Sequence, residues 1–321
     1  MKAAVRHQYG SPDLIKIEEM PQPLPKPHEV LIRVLATTVN RTDCSVLSGE
    51  PYIFRFFVGW PRPRTAILGT DFAGIVERVG SQVTKFKVGD RVWGFDDNGL
   101  PSQAEYLAYG ENKNILPIAE GVSFHEAAAC AEGAHYAVNF LRYFKLKPDS
   151  KVLVNGATGG IGSAMVQLLK HQGLFVTATA NTKNLELIRA LGVDRVIDYE
   201  KQDFTKLDEK FDVIFDAVGK STFYKCKEIL EENGSYLSSE LGEGIENLYL
   251  PFLTKIKGGK RVIFPFPIDI KGSMNVIQKV VIEGGFRPVI EKVFTLDKAR
   301  EAYQYVASGR KTGNVVLDLG S

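Results

Sequence analysis

The stretch KVLVNGATGGIGSAMVQLLK, residues 151–170, decides the fold because it runs from an apolar strand through a glycine-rich turn directly into a helix. Ala157, Gly159 and Gly162 stand at the three positions of the AxGxxG form of the dinucleotide-binding fingerprint. Small residues there permit a tight turn and let bare backbone approach a pyrophosphate, whose charge lies at the helix N-terminus. The sequence therefore predicts a phosphate-binding turn made of Thr158, Gly159, Gly160, Ile161 and Gly162.

Strands and helices alternate along the chain that follows this turn. The predicted strands are LFVTATA (174–180), RVIDY (195–199), DVIFDAVG (212–219), GSYLSS (234–239) and RVIFPF (261–266). The predicted helices are SAMVQLLKHQG (163–173), TKNLELIRALG (182–192) and STFYKCKEILEENG (221–234). Parallel neighbours cannot be joined by a hairpin, so this alternation predicts a doubly wound parallel sheet of the Rossmann type.

The N-terminal part of the chain is patterned differently. Residues 1–121 contain short strands separated by Pro, Gly and Asn or Asp clusters, including EVLIRVLATTV and FAGIVERVG. A helix is predicted from about Ser123, and helices and strands continue beyond Pro267. We therefore expect an α/β protein in which a β-rich domain, residues 1–121 and 268–321, carries an inserted Rossmann domain, residues 122–267.

The composition is that of an ordinary folded enzyme. Of 321 residues, 44% are hydrophobic and the net charge is +2, so neither a nucleic-acid partner nor a membrane partner is expected. The three cysteines lack any CxxC spacing, which excludes a disulfide framework and a structural zinc lobe. No leader or membrane span is visible in the sequence, so we expect a cytoplasmic protein.

The cofactor type is predicted from the end of the strand LFVTATA. Enzymes specific for NAD carry Asp or Glu about 20 residues after the glycines, where it binds the ribose 2′-hydroxyl. Asn181 stands there instead, followed by Lys183, which favours NADP(H); a solvated lysine at a helix start is the alternative for Lys183. Tyr199 is a candidate to close the same pocket, unless it only packs at its strand end. Val218 and Gly219, at the carboxyl end of DVIFDAVG, are predicted to border the nicotinamide.

Several motifs together resemble the medium-chain dehydrogenase/reductase superfamily. The branch they most resemble contains the zinc-independent quinone oxidoreductases and the alkenal and enone reductases. The resemblance implies a GroES-like β domain beside the Rossmann domain, and hydride transfer from NADPH to a quinone or an α,β-unsaturated carbonyl. It also implies a homodimer joined through the edge of the Rossmann sheet. The motifs cover nearly the whole chain and include LGTDFAGIVERVG, VGDRVWG, VNGATGGIG, LGVDRVIDY, FDAVG and GNVVL.

The resemblance also implies where a catalytic metal would be bound. Zinc-dependent members of the superfamily hold the metal through a Cys, a His and a further Cys or Glu. Asn40 and Thr70 correspond to the first two of these positions, and neither is a usual zinc ligand. Asp71 and Glu132 lie near the remaining positions, but two carboxylates are too few for a closed site. We therefore expect no catalytic metal.

Candidate catalytic residues are those that can stabilise negative charge. Hydride addition to a quinone or an enone builds charge on a carbonyl oxygen, which requires hydrogen-bond donors. The resemblance implies that Asn40 faces the nicotinamide and the substrate, whereas Asp43 is predicted to cap the following helix. Tyr52, in an aromatic loop, and Tyr136 are further candidates; His135 is the less favoured one. Tyr136 stands where relatives have a cofactor-contacting Thr, because EGAHYA replaces their Gly-Leu-Thr-Ala stretch.

Two other functions fit the same sequence. An NADP-dependent alcohol dehydrogenase would need a Lewis acid or a base to take the hydroxyl proton. A weakly catalytic NADPH-binding or sensor protein is also compatible with the fold, because a fold does not fix a function.

Overall fold

The computed structural model describes residues 1–52 and 55–320. The chain divides into two compact units. The first comprises Met1–Glu132, Ile270–Asn275 and Pro288–Ser321, and the second comprises Gly133–Asp269 and Val276–Arg287. The second unit is thus inserted into the chain of the first.

The regular elements alternate along the chain much as the sequence pattern predicts. The described strands are β1 (Lys2–Val5), β2 (Lys16–Glu19), β3 (Glu29–Val39), β4 (Asp71–Val79), β5 (Arg91–Phe95), β6 (Tyr106–Gly110), β7 (Ile115–Pro117), β8 (Lys151–Asn155), β9 (Phe175–Ala180), β10 (Arg195–Asp198), β11 (Phe211–Asp216), β12 (Leu230–Ser238), β13 (Arg261–Ile263), β14 (Ile290–Thr295) and β15 (Asn314–Asp318). The described helices are α1 (Arg41–Ser48), α2 (Arg55–Val58), α3 (Phe124–Ala129), α4 (Glu132–Leu141), α5 (Gly160–His171), α6 (Leu185–Ala190), α7 (Phe223–Cys226), α8 (Glu246–Lys257), α9 (Ile270–Ile282) and α10 (Ala299–Ala307).

The first unit is built on a sheet with the strand order β14-β15-β3-β4-β5-β7, and β6 also pairs with β3. All of these pairs are antiparallel except β14 with β15. Val30, Ile32 and Val34 alternate along β3 and pack in a buried cluster with Phe72 of β4. Because β3 ends at Val39 and α1 begins at Arg41, a single residue, Asn40, joins the central strand to the helix.

The second unit contains a fully parallel sheet with the order β10-β9-β8-β11-β12-β13. Strand order runs outward from β8 in one direction and restarts at β11 in the other. Ligands of such sheets bind where the order reverses, outside the carboxyl ends of the strands. The predicted fold class, a GroES-like β-rich domain with an inserted Rossmann domain, is confirmed.

Two predicted helices differ from the structure. The helix predicted over 221–234 was wrong, because α7 ends at Cys226 and β12 already begins at Leu230. Ile229 and Leu230 are each 1% exposed, and Leu230 pairs with Phe211 of β11, so burial in the sheet overrides a helical pattern. The helix predicted from about Ser123 is two helices, α3 and α4, which are separated at residues 130 and 131.

The observed boundary between the units differs from the predicted boundary at residues 121 and 122 by the helix α3. That boundary assigns α3 to the nucleotide domain. The structure groups it with the first unit, because α3 packs on β3, β4 and β15.

Candidate active site

The glycine-rich turn lies between β8 and α5. A side chain would fit at Gly159 but not at Gly162. A Cβ on Gly162 would lie 2.2 Å from the carbonyl oxygen of Gly156, so the helix approaches the turn too closely for any side chain. A Cβ on Gly159 would meet only that same oxygen, at 3.7 Å. Gly159 is the N-cap of α5 and supplies no capping side chain. No side chain therefore caps the N-terminus of α5, which is the state that an anion-binding N-terminus requires.

The predicted cofactor residues all lie at the carboxyl ends of neighbouring strands in the order β10-β9-β8-β11. Residues 158–162 follow β8, and Asn181 and Lys183 follow β9. Tyr199 follows β10, and Val218 and Gly219 follow β11. A Cβ on Gly156 would lie 2.7 Å from the Val218 side chain, so the turns after β8 and β11 are in contact. Their roles toward a cofactor remain predictions.

A buried carboxylate, which the sequence interpretation missed, accepts several hydrogen bonds at this edge of the parallel sheet. Asp216, the last residue of β11, is 1% exposed and accepts hydrogen bonds from Asn155 Nδ2 at 3.0 Å and from the Tyr236 hydroxyl at 2.8 Å. It also accepts from the backbone N–H groups of Gly219 at 3.0 Å and Ser221 at 3.1 Å. The turn after β11 is thereby held to the carboxylate. A polar residue closing an apolar strand, as in DVIFD, was the available sequence signal.

The same network extends to β9. The Thr179 hydroxyl donates to Asn155 Oδ1 at 2.7 Å and accepts from the N–H of Gly156 at 3.1 Å. The glycine turn is thus tied by side chains to both neighbouring strands, β9 and β11.

The residues after β9 combine an unpaired acceptor with an exposed cation. Asn181 Oδ1 is buried and has no hydrogen-bond partner among the described residues. Lys183 is exposed. Two nearby acids are already engaged, since Thr182 donates through its hydroxyl to Asp198 at 2.7 Å and through its N–H to Glu200 at 3.0 Å. That hydroxyl, as the largest cause, lowers the pKa of Asp198.

Tyr199 lies beside this end of β9. Its N–H donates to the carbonyl of Ala180 at 3.0 Å, and the side chain is 50% exposed. Burial raises the pKa of its hydroxyl, as do the charges of Glu200 and Asp198. The Tyr199 hydroxyl is therefore protonated at neutral pH, and its side chain is accessible at the end of the strand that neighbours β9.

Helix α4 carries Tyr136 and the buried His135. Tyr136 is half-buried and packs edge-on against His135 and Phe140, with ring centroids 5.7 and 6.1 Å apart. His135 is 0% exposed, and its Nδ1 lies 3.3 Å from Asn139 Nδ2. A Cβ on Gly133 would lie 2.7 Å from the Gly160 backbone, so α4 packs directly against the start of α5.

In the first unit, Asn40 closes the N-terminus of α1. Its Oδ1 accepts from the Asp43 N–H at 2.8 Å, and its own N–H donates to Asp43 Oδ2 at 3.0 Å, which forms a capping box. Asp43 was predicted to be the N-cap; this was wrong, because Asn40 caps the helix and Asp43 is its reciprocal partner. Asn40 Nδ2 donates to Thr70 Oγ1 at 2.8 Å and to Thr38 Oγ1 at 3.4 Å.

Buried carboxyl groups surround this junction. Burial raises the pKa of Asp71 to about 7, although hydrogen bonds from Thr38 act against the shift and the charge of Glu132 adds to it. Burial, followed by the charge of Asp71, raises the pKa of Asp43 well above its usual value. Burial also raises the pKa of Glu132, which accepts from the Thr42 N–H at 3.1 Å. Burial therefore favours the protonated form of each of these three groups.

Tyr52 lies on the surface of the first unit. Its side chain is 65% exposed, and the Arg55 guanidinium lies 4.5 Å from the ring centroid. It is thus accessible, whereas Asn40 is 3% exposed.

Within residues 1–52 and 55–320, no group of three or more His, Cys, Asp or Glu side chains is arranged to hold a metal ion. Over the same part of the chain, no helix has the length and apolar character to cross a bilayer.

Two family models match parts of this chain. Residues 26–138 match the family model of the alcohol dehydrogenase GroES-like domain. Residues 191–317 match the model described as zinc-binding dehydrogenase.

Individual relatives align over nearly the whole chain. A 2-methylene-furan-3-one reductase of Solanum lycopersicum is 34% identical, over 99% of this chain and 79% of the relative. An NADPH-dependent alkenal/one oxidoreductase of Arabidopsis thaliana, a chloroplastic protein, is 30% identical over the same shares of the two chains. The structure of a quinone oxidoreductase from Coxiella burnetii superposes with a TM-score of 0.86 at 27% identity, covering 99% of both chains. This chain therefore belongs to the medium-chain dehydrogenase/reductase superfamily, in the branch of the quinone oxidoreductases and the alkenal and enone reductases.

Proposed function

We propose that this protein is an NADPH-dependent reductase that transfers hydride to a quinone or an α,β-unsaturated carbonyl without zinc. The observation that carries the proposal is the edge of the parallel sheet. There an open helix N-terminus, an unpaired buried acceptor on Asn181 and the exposed Lys183 follow neighbouring strands.

The residues at this edge fit a phosphorylated dinucleotide. The space beside Gly159 leaves backbone N–H groups for a pyrophosphate, and Asn181 Oδ1 would accept from a ribose hydroxyl. Lys183 and the Tyr199 hydroxyl would meet a 2′-phosphate. Asp198 and Glu200 oppose that charge, but both are engaged by Thr182. The bound cofactor supplies a hydride from its nicotinamide.

The chain itself must stabilise the oxygen on which charge develops. Asn40 already donates to two threonine hydroxyls, which leaves its amide little capacity for a substrate. Tyr52 and Tyr136 are the phenols we assign to this role, because a phenol both donates a hydrogen bond and can release its proton. The buried Asp216 holds the Val218–Gly219 turn and positions the surface against which the nicotinamide would lie.

The chemistry of the residues at the metal positions supports a zinc-free reaction. Asn40 and Thr70 offer an amide and a hydroxyl rather than the thiolate, imidazole or carboxylate that zinc prefers, and they are hydrogen-bonded to each other. Protein purified without added metal should contain zinc well below one equivalent. Stoichiometric zinc that is needed for turnover would overturn this part of the proposal.

The function is tested by following NADPH oxidation with a quinone and with an enal, and NADP reduction with simple alcohols. We expect reduction of at least one of the first two substrates and no oxidation of alcohols. Lys183→Gln should raise the KM for NADPH about tenfold and leave that for NADH unchanged, because only the 2′-phosphate is lost as a partner. A preference of the unmodified enzyme for NADH would refute the cofactor assignment. Alcohol oxidation as the faster reaction would refute the direction.

The same proposal includes a homodimer through the edge of the parallel sheet. Strand β13 is an edge strand of that sheet, and α8 packs on it. The outer face of α8 is apolar, with Phe252 67% and Ile256 70% exposed. Light scattering should give a dimer mass, and Phe252→Glu with Ile256→Glu should shift it to the monomer. A monomeric native protein would contradict the proposed dimer but not the proposed reaction.

A further inference from the structure

A cavity in the first unit is lined by a buried arginine that lacks an ionic partner. The cavity has a volume of about 230 Å³, and Arg6, Arg64, Val46, Thr65, Asn98 and Gly99 are among its lining residues. Arg6 is 2% exposed, and its Nε has no hydrogen-bond partner among the described residues. A guanidinium in such a position retains its charge, and a buried charge without a partner is unfavourable. The burial of Arg6 therefore requires an explanation.

The contacts that Arg6 does make are with neutral groups. Its Nη2 donates to the carbonyl of Val46 at 2.7 Å, and its Nη1 lies 3.4 Å from the carbonyl of Thr65. The ring of Tyr9 lies 5.3 Å from the guanidinium carbon. Within the described part of the chain no carboxylate forms an ion pair with Arg6, and Asp43 acts on it only at longer range. Burial lowers its pKa.

A second guanidinium lines the same cavity. Arg64 is exposed, and its Nη2 makes one long contact, 3.4 Å to the carbonyl of Phe56. Asn98 lines the cavity as well, although its N–H and amide already contact Asp96 at 3.0 and 3.3 Å. Among the described residues that line the cavity, Arg6 and Arg64 are the charged ones, and none is acidic.

We propose that this cavity binds a small anion that carries a carboxylate or a phosphate group. Guanidinium groups present paired N–H donors in the geometry that both anions accept. The volume of about 230 Å³ lies below the range of sites for larger ligands, so the occupant is an acid of a few heavy atoms rather than a nucleotide. The anion is either the acid group of an unsaturated carbonyl substrate or a separate small anion. The site exists whether or not the proposed reduction occurs.

The binding step is tested by thermal unfolding at constant ionic strength, with chloride replaced stepwise by phosphate or by acetate. We expect a saturable rise in Tm, and Arg64→Gln should weaken the apparent affinity about tenfold or more. Arg78→Gln removes an exposed arginine of the same unit and serves as the matched control. Lys183→Gln shows whether any phosphate effect arises instead beside Lys183, where the 2′-phosphate is proposed to bind. Arg6→Gln should abolish the effect, and Arg64→Gln keeps the test informative if Arg6→Gln does not fold.

The source of the anion is tested by kinetics. If it is the substrate's own acid group, Arg64→Gln raises the KM for an enone that bears a carboxylate and leaves the KM for the uncharged enone unchanged. If it is a separate anion, both KM values stay the same in Arg64→Gln while the Tm response is weakened. Equal Tm responses in the native protein, Arg64→Gln and Arg78→Gln would overturn the proposal. Absence of any turnover would count against the proposed reductase but not against the anion site.

Discussion

Two strand-to-helix junctions of this molecule resemble each other in the chain and differ in their chemistry. In the second unit, β8 leads through the glycine turn into α5, whose N-cap Gly159 has no side chain to offer. In the first unit, β3 leads through Asn40 into α1, and the capping box of Asn40 and Asp43 satisfies the helix N-terminus internally. An open N-terminus is available to an anion, whereas a capped one is already occupied by its own chain. The same local geometry therefore leaves the helix N-terminus uncapped by a side chain in one unit and satisfied by its own chain in the other.

The largest expected effect concerns the buried carboxyls beside the capped junction. The pKa of Asp71 is about 7 in the folded protein against 3.8 as the ordinary value. Between these values the folded state holds a proton that the unfolded state has lost, so stability falls as pH rises from about 4 to about 7. The full change attributable to Asp71 is about 4 kcal/mol.

Asp71→Asn tests this dependence because an amide does not titrate. Urea unfolding at pH 5 and pH 8 should show the native protein losing about 3 kcal/mol more than the variant over that interval. Glu77→Gln, an exposed carboxylate on the same strand, should behave as the native protein does. Parallel losses in all three proteins would show that Asp71 ionises normally and that burial does not raise its pKa.

The open junction is tested by two glycine substitutions that differ in what a Cβ would meet. Gly162→Ala places a Cβ 2.2 Å from the Gly156 carbonyl, so it should lower Tm and weaken NADPH binding together. Gly159→Ala meets nothing closer than 3.7 Å, so Tm should stay near the native value. Its Cβ would instead occupy the space assigned to the pyrophosphate, and we expect about a hundredfold rise in the NADPH Kd, near 3 kcal/mol. Unchanged NADPH affinity in Gly159→Ala would remove the turn from the binding site.

The difference between the junctions also explains which parts could be predicted from the sequence. The turn at 156–162 depends on backbone and on the absence of side chains, which glycine spacing reveals directly. The network around Asp216 and the pair of Asn40 with Thr70 depend on residues far apart in the chain that fold into contact. No local pattern encodes those contacts, so Asp216 was missed. The cap of α1 is local, and it was assigned to Asp43 although Asn40, three residues earlier, is the N-cap. The doubly wound parallel sheet followed from the alternation of strands and helices, but the start of β12 did not, because burial rather than local propensity fixes it.

Asp216→Asn should have a smaller effect than the glycine changes. The amide can accept with one oxygen only, so the donors from Gly219, Ser221 and Tyr236 cannot all remain satisfied. We expect a loss of about 2 kcal/mol in the free energy of unfolding. Asp212→Asn, at a half-buried position on the same strand, is the control. If Asp216→Asn weakens NADPH binding beyond its effect on stability, the Val218–Gly219 turn contacts the cofactor; an unaltered Kd would assign Asp216 to stability alone.

The smallest expected effect separates capping from catalysis at Asn40. Asn40→Ser retains an oxygen that can cap α1, whereas Asn40→Ala removes it, so urea unfolding should place the alanine variant about 1 kcal/mol below the serine variant. Both substitutions remove the amide that donates to Thr70 and Thr38. If kcat falls equally in the two variants while their stabilities differ, that amide acts in the reaction through its neighbours. If kcat follows stability and Asn40→Ser retains native turnover, Asn40 only closes the helix, and the donors for the substrate oxygen must be sought among the tyrosines.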